Sequence, residues 1–287
     1  MMPVYNGIDS LPLALSSLLH QTYTNWKCYI VNDGSTDGTR EYLDSLTDDR
    51  FVVIHFFKNK GRAAARQAAL EAAEEKYLAF LDADDFYHPE KLKIQVNYLE
   101  NNDSVSFVSC RMGSYNEQYD LVMVRKKKQM KDPVKYKKGE KFIPSRAGSL
   151  VRIKEIKYSY NLSLNYAEDT DFFINNFDEK YYFIMDDILY YYSEFVSVTK
   201  FKILTSEFYS ILSSSKKFTE NPVRKSKNII INVLRIIIKS ALYPFVDVRF
   251  YLSKRGVDPL ECDKSEYKKV LRQLGSSKNK NLIEEIN

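Results

Sequence analysis

Apolar residues alternate between helix-like and strand-like spacing over the first hundred positions. Asp9-Ser10-Leu11-Pro12 marks a helix start, with a capping side chain and an early proline, and Leu15, Leu18 and Leu19 continue it at helical spacing. The run WKCYIV at 26–31 reads as a strand and stops at the turn Asn32-Asp33-Gly34. Ser35 or Thr36 is placed to cap a helix reaching about Leu46, and FVVIHF at 51–56 is a second strand. Gly61 opens an alanine-rich helix, RAAARQAALEAAEE. YLAFL at 77–81 is a third strand, running directly into Asp82-Ala83-Asp84-Asp85, and Pro89 starts the next helix. This alternation predicts βαβ units in a mostly parallel sheet flanked by helices.

Ligands of such sheets bind at the carboxyl ends of the strands. Two of the three strand ends deliver acids, Asp33 and the Asp82/Asp84/Asp85 group, so these should converge on one rim. Past residue 105 strands are expected at 105–110, 121–124, 149–153 and 183–192, with a helix starting at Ala167-Glu168-Asp169-Thr170-Asp171. From about 205 onward helices dominate, among them an apolar one at 229–245. The expected organisation is a first domain over 1–204, with a donor half to 110 and an acceptor half from 111, followed by a helical basic region over 205–287.

Composition narrows the class. With 17 Phe and 22 Tyr in 287 residues the chain can bury a core, and 9 Gly with 8 Pro exclude a collagen-like or low-complexity polymer. Three scattered cysteines form neither a disulfide framework nor a CxxC metal site, which favours a reducing, cytoplasmic setting. The net charge of +5 divides unevenly: −5 over 1–100, +2 over 101–200 and +8 over 201–287. Nine Lys or Arg crowd 125–141. An acidic first half suits a cation, and a basic tail suits either an anionic surface or a solvated helical face. The site features lie in the acidic half, which argues against a nucleic-acid binder.

The acids have a chemistry of their own. Three carboxylates in one loop after a buried strand repel unless a cation or hydrogen-bond donors offset them, as at a Mg²⁺ or Mn²⁺ site shared with a diphosphate. Alone, that loop reads better as a solvated acidic turn, and Glu168-Asp169 as an ordinary acidic helix start. Four segments occur in order, however: MPVYNG at 2–7, VNDGSTDGT at 31–39, NKGRAAAR at 59–66 and LDADD at 81–85. Together they resemble the nucleotide-sugar-binding half of the family 2 glycosyltransferases, which have the GT-A fold.

The resemblance implies an inverting, metal-dependent hexosyltransferase that uses a UDP-sugar and a glycan or glycoconjugate acceptor in surface glycan or glycoprotein synthesis. It places Pro3, Tyr5 and Asn6 at the uracil, where a tyrosine face suits stacking on a base. It places Asp33 at the base edge, Gly61, Arg62 and Arg66 around the nucleotide, Asp82 at the ribose or metal, and Asp84 on the Mn²⁺ or Mg²⁺. It makes Asp169 the general base for the acceptor hydroxyl, with Glu168 orienting the site. For Arg66 an ion pair with one of the aspartates is the alternative.

Two departures stand out. Only Met1 and Met2 precede Pro3, where the family has an apolar first strand, so the polypeptide is expected to continue upstream with about five to eight apolar residues. The segment after the ED helix, YYYSEFVS at 190–197, has no His or Arg, and Lys200 is the nearest cation. The alternatives are a nucleotidyltransferase and a non-catalytic sugar-nucleotide-binding or assembly subunit. The apolar 229–245 helix, interrupted by Arg235, Lys239 and Pro244, is too short to span a bilayer and would lie at a membrane surface, form an oligomer contact or pack as a buried helix.

Overall fold

A computed structural model describes residues 1–125, 130–138, 145–164, 166–197 and 247–275, with Ser226, Ile230, Ile231, Val233, Leu234, Ile237 and Ile238. Lys200, part of the basic run at 125–141 and most of 229–245 lie outside the described residues.

The opening strands are β1 (Met2–Val4), β2 (Cys28–Asn32), β3 (Phe51–His55) and β4 (Tyr77–Ala79). Helices α1 (Leu11–Leu19), α2 (Thr39–Asp44) and α3 (Arg62–Ala72) connect them. β1 runs parallel to β2 and β2 parallel to β3, with Met2 opposite Ile30 and Cys28 opposite Phe51. Every residue of β2 is buried, as expected for a central strand covered on both faces. Ser10 makes no capping bond to α1, and α2 begins after Gly38 at φ 90°, later than expected, because Ser35 and Thr36 are engaged by the 5–8 segment.

The second half mixes strand directions. It comprises β5 (Phe86–Tyr87), α4 (Lys91–Glu100), β6 (Val105–Tyr115), β7 (Leu121–Arg125), β8 (Val134–Lys135), β9 (Leu150–Arg152), α5 (Glu168–Phe177), β10 (Tyr181–Tyr192) and α6 (Glu194–Ser197). β6 and β10 are parallel, whereas β7 and β9 run antiparallel to β6, and β9 continues the sheet to β4. β5 pairs antiparallel with the end of β10, which brings the acidic loop after β4 beside Tyr190 and Ser193.

The last described elements are α7 (Val248–Ser253), β11 (Gly256–Val257) and α8 (Glu261–Gly275). β11 pairs with β7, and Tyr267, Val270, Leu271 and Leu274 of α8 pack against Leu13, Phe86 and Tyr191. The fully buried Glu194 accepts hydrogen bonds from Arg125 Nη2 at 2.7 Å, Arg255 Nη1 at 2.8 Å and Ser114 Oγ at 3.0 Å. Residues 247–275 are thereby packed on the same body as the sheet.

The first strand is short but present. Met1 also bridges toward β4: its amino group donates to Ala79 O at 2.7 Å, and its carbonyl accepts from Leu81 N at 3.1 Å. Beneath it, the starts of β2 and β4 face each other across a cavity of about 450 Å³ lined by Trp26, Cys28, Tyr29, Tyr77 and Ala79.

Candidate active site

The site is built on the carboxyl ends of β1, β2 and β4. After β1 the backbone turns through Asn6 at φ 50° and is tied to the β2 turn by side chains. Asn6 N donates to Ser35 Oγ at 2.9 Å, Thr36 N to Asn6 Oδ1 at 2.8 Å, and Gly7 N to Thr39 Oγ1 at 2.9 Å. Pro3 is buried in β1, while Tyr5 is 51% exposed at the rim.

Asp33 is buried and accepts from Lys60 N at 2.6 Å and Gly61 N at 2.9 Å. Its carboxylate therefore fixes the loop that leads into α3. Gly34, at φ 71°, lets the two loops approach: a Cβ there would lie 2.6 Å from the backbone of Lys58 and Asn59. Arg62, at the start of α3, is exposed, its Nε 3.7 Å from Glu168 Oε1.

The acids after β4 have separate fates. Asp85 is buried and accepts from Tyr190 Oη at 2.5 Å, Ser193 N at 2.9 Å and Ser193 Oγ at 3.0 Å. Burial, then the charges of Asp84 and Asp82, push its pKa well above the usual carboxylate range. Asp85 thus anchors the loop, leaving Asp82 and Asp84 half-buried at the rim. The Asp84 carbonyl is held by Tyr115 Oη at 2.7 Å.

Two buried arginines join the acids of β4 to those of α5. Arg66 Nη2 donates to Asp82 Oδ1 at 3.0 Å, and its Nη1 lies 2.5 Å from Glu168 Oε1 and 2.7 Å from Asp169 Oδ1. Arg146 Nη2 donates to both Asp82 oxygens at 3.0 and 3.1 Å, and its Nε lies 2.9 Å from Asp169 Oδ1. The pairs with Asp169 are close but poorly aligned: its Oδ1, with Nε and Nη1 of Arg146, completes no hydrogen bond among the described residues. Burial alone would raise the pKa of Asp82, but the charges of Arg146 and Arg66 override it and hold the carboxyl well below its usual range. Ala167, at φ 60°, turns the chain so that Glu168 and Asp169 both face these guanidiniums. A left-handed non-glycine residue there costs about 1–2 kcal/mol.

The structure therefore brings Arg66, Asp82, Glu168 and Asp169 together, with Asp84 two residues along the same loop. Pro3, Tyr5, Asn6, Asp33 and Gly61 shape the adjacent loops and do not join this cluster. Arg146 was missed. It is a single arginine between a basic stretch and a short strand, with no periodicity to mark it as buried.

A family profile, Glycosyl transferase family 2, matches residues 1–157. The chain belongs to this family. A glycosyltransferase of Haemophilus influenzae without an assigned reaction is 31% identical over 225 residues, covering 74% of this chain and 83% of that protein. The putative teichuronic acid biosynthesis glycosyltransferase TuaG of Bacillus subtilis is 40% identical over 108 residues, 37% of this chain and 43% of TuaG. A Rickettsia felis glycosyltransferase is 38% identical over 104 residues, only 17% of its length, so the chain spans less than half of several curated relatives. The fold matches S. aureus TarS in complex with UDP-GlcNAc, with TM-score 0.58, 17% identity, and 100% of this chain and 80% of that one covered. It also matches the mannosyltransferase PcManGT of Pyrobaculum calidifontis in complex with GDP-Man and Mn²⁺, with TM-score 0.53, 12% identity, and 97% and 85% covered. These likenesses establish the GT-A fold for this family 2 member.

The donor set fits a divalent cation held jointly with a substrate. Asp82 and Asp84 offer hard oxygen ligands, but Asp82 is shared with two guanidiniums, and no group of three or more His, Cys, Asp or Glu among the described residues could hold an ion alone. Mg²⁺ and Mn²⁺ sites completed by phosphate oxygens have this character.

Because each guanidinium serves several carboxylates, the pairs should be strongly coupled. Arg146→Gln leaves Asp82 and Asp169 with one cation fewer and should destabilise the fold by about 3–5 kcal/mol, the usual result of breaking a buried pair. Adding Asp82→Asn should recover part of that loss. Strictly additive losses in denaturant unfolding would show that the cluster is not coupled.

Proposed function

We propose that the chain is an inverting glycosyltransferase that moves a sugar from a UDP-sugar to a hydroxyl of a glycan, lipid-linked or protein-linked acceptor. The observation that carries this reading is the convergence of Asp82, Glu168 and Asp169 on Arg66 and Arg146 beyond the carboxyl end of β4, beside Asp84. TarS supports a uridine diphosphate sugar as donor, and TuaG supports a surface-glycan acceptor. Buried Cys28 and Cys110, with no disulfide, suit a reducing cytoplasmic setting. No helix among the described residues is long and apolar enough to cross a membrane.

In this reading Tyr5 stacks on the uracil and Asp33, through the loop it holds, shapes the nucleotide pocket. Asp84, with Asp82, would hold Mn²⁺ or Mg²⁺, which when bound offsets the charge of the diphosphate. The acceptor oxygen attacks the anomeric carbon from the face opposite UDP, the bond to UDP breaks, and Asp169 takes the acceptor proton. Arg66 Nη1 and Arg146 Nε lie against Asp169 and orient it, and Glu168 fixes Arg66 in place. The guanidiniums supply positive charge near the departing diphosphate, a role the 190–197 segment cannot fill.

UDP release measured over a panel of UDP-sugars with Mn²⁺ tests the reading directly; binding without turnover for any acceptor would favour the non-catalytic alternative. Asp169→Asn should leave UDP-sugar binding nearly intact and slow transfer by roughly 10²–10⁴-fold, the range of a positioned general base. Wild-type turnover would move the base elsewhere, with Glu168 first in line. Asp84→Asn should abolish metal-dependent UDP binding in titration calorimetry, and an unchanged Mn²⁺ dependence would remove Asp84 from the metal.

A further inference from the structure

Outside the site, the strongest unexplained feature is a row of apolar side chains beyond the sheet domain. Ile230, Ile231, Val233, Leu234, Ile237 and Ile238 are all helical and all exposed, from 37% for Ile231 to 58% for Ile230. At 100° per residue these six positions fall within an arc of roughly 160°, one continuous helix face. Helix α1, also leucine-rich, buries Leu11, Leu13, Leu15 and Leu18 to 6% exposure or less, so the contrast is not one of composition. An apolar face of this width in water is an interaction surface.

The sequence around the row decides its occupant. Between Glu220 and Asp247 the chain carries Arg224, Lys225, Lys227, Arg235 and Lys239 and no acid. In the sequence pattern Asn232, Arg235 and Lys239 take the sector opposite the apolar arc. A second copy docking face to face would leave the cations of both copies without a countercharge, because the segment carries no acid. An anionic bilayer answers both requirements: acyl chains cover the apolar arc, and phosphate headgroups neutralise the cations. A transmembrane path is excluded for this stretch, because three polar or helix-breaking residues, Arg235, Lys239 and Pro244, interrupt 17 residues.

We propose that the face formed by Ile230, Ile231, Val233, Leu234, Ile237 and Ile238 docks in the plane of an anionic lipid surface. This docking needs neither donor nor acceptor, so it stands or falls separately from the glycosyl-transfer reading. The test is flotation of the full chain with vesicles of phosphatidylcholine alone or mixed with phosphatidylglycerol, at low and high salt. Binding to the mixed vesicles should be at least tenfold stronger and should weaken as salt screens the cations. The paired substitution Leu234→Glu and Ile237→Glu should abolish flotation while leaving UDP binding and the thermal midpoint unchanged. Equal binding to both vesicle types would overturn the charge argument. Absence of flotation, with a dimer in size-exclusion chromatography that the paired substitution dissociates, would assign the face to self-association instead.

Discussion

Everything at the strand ends depends on two arginines kept charged out of water. Arg66 and Arg146 are almost wholly buried, and each is tolerable there because carboxylates from two distant parts of the chain meet it. The same pairs hold the start of α5 against the loop after β4. The acceptor-side helix and the donor-side loop are therefore positioned by one electrostatic cluster, and the sheet serves to bring its members to one edge.

How far the sequence revealed this varies from element to element. The helix after Gly61, the strand that runs into Asp82 and the helix at Glu168 were legible because period, glycine and acidic start agree locally. Ser35 and Thr36 looked like helix caps, yet their partners come from Asn6 on another strand end, a tertiary contact that no local pattern encodes. Arg146 was invisible for the same reason: its burial follows from Asp82 and Asp169, 64 residues before it and 23 after. The antiparallel pairs of β5 and β9 escaped notice because strands of two or three residues carry too little periodicity to show direction.

A second ion cluster shows how the ends of the chain are joined. Glu194 follows the end of β10 and is reached by Arg125 from β7 and Arg255 from the turn before β11. Asp85 fastens Ser193, the preceding residue, to the acidic loop. Two adjacent residues thus connect the loop after β4 with the last described elements.

The shared guanidinium of Arg66 also limits how this site can change over generations. Its three carboxylate partners cannot be replaced one at a time without leaving a buried cation short of countercharge. New variants at Asp82 or Glu168 would be tolerated best beside a compensating change at Arg66 or Arg146. Drift should therefore concentrate in the exposed loops, while these five positions move together or remain fixed.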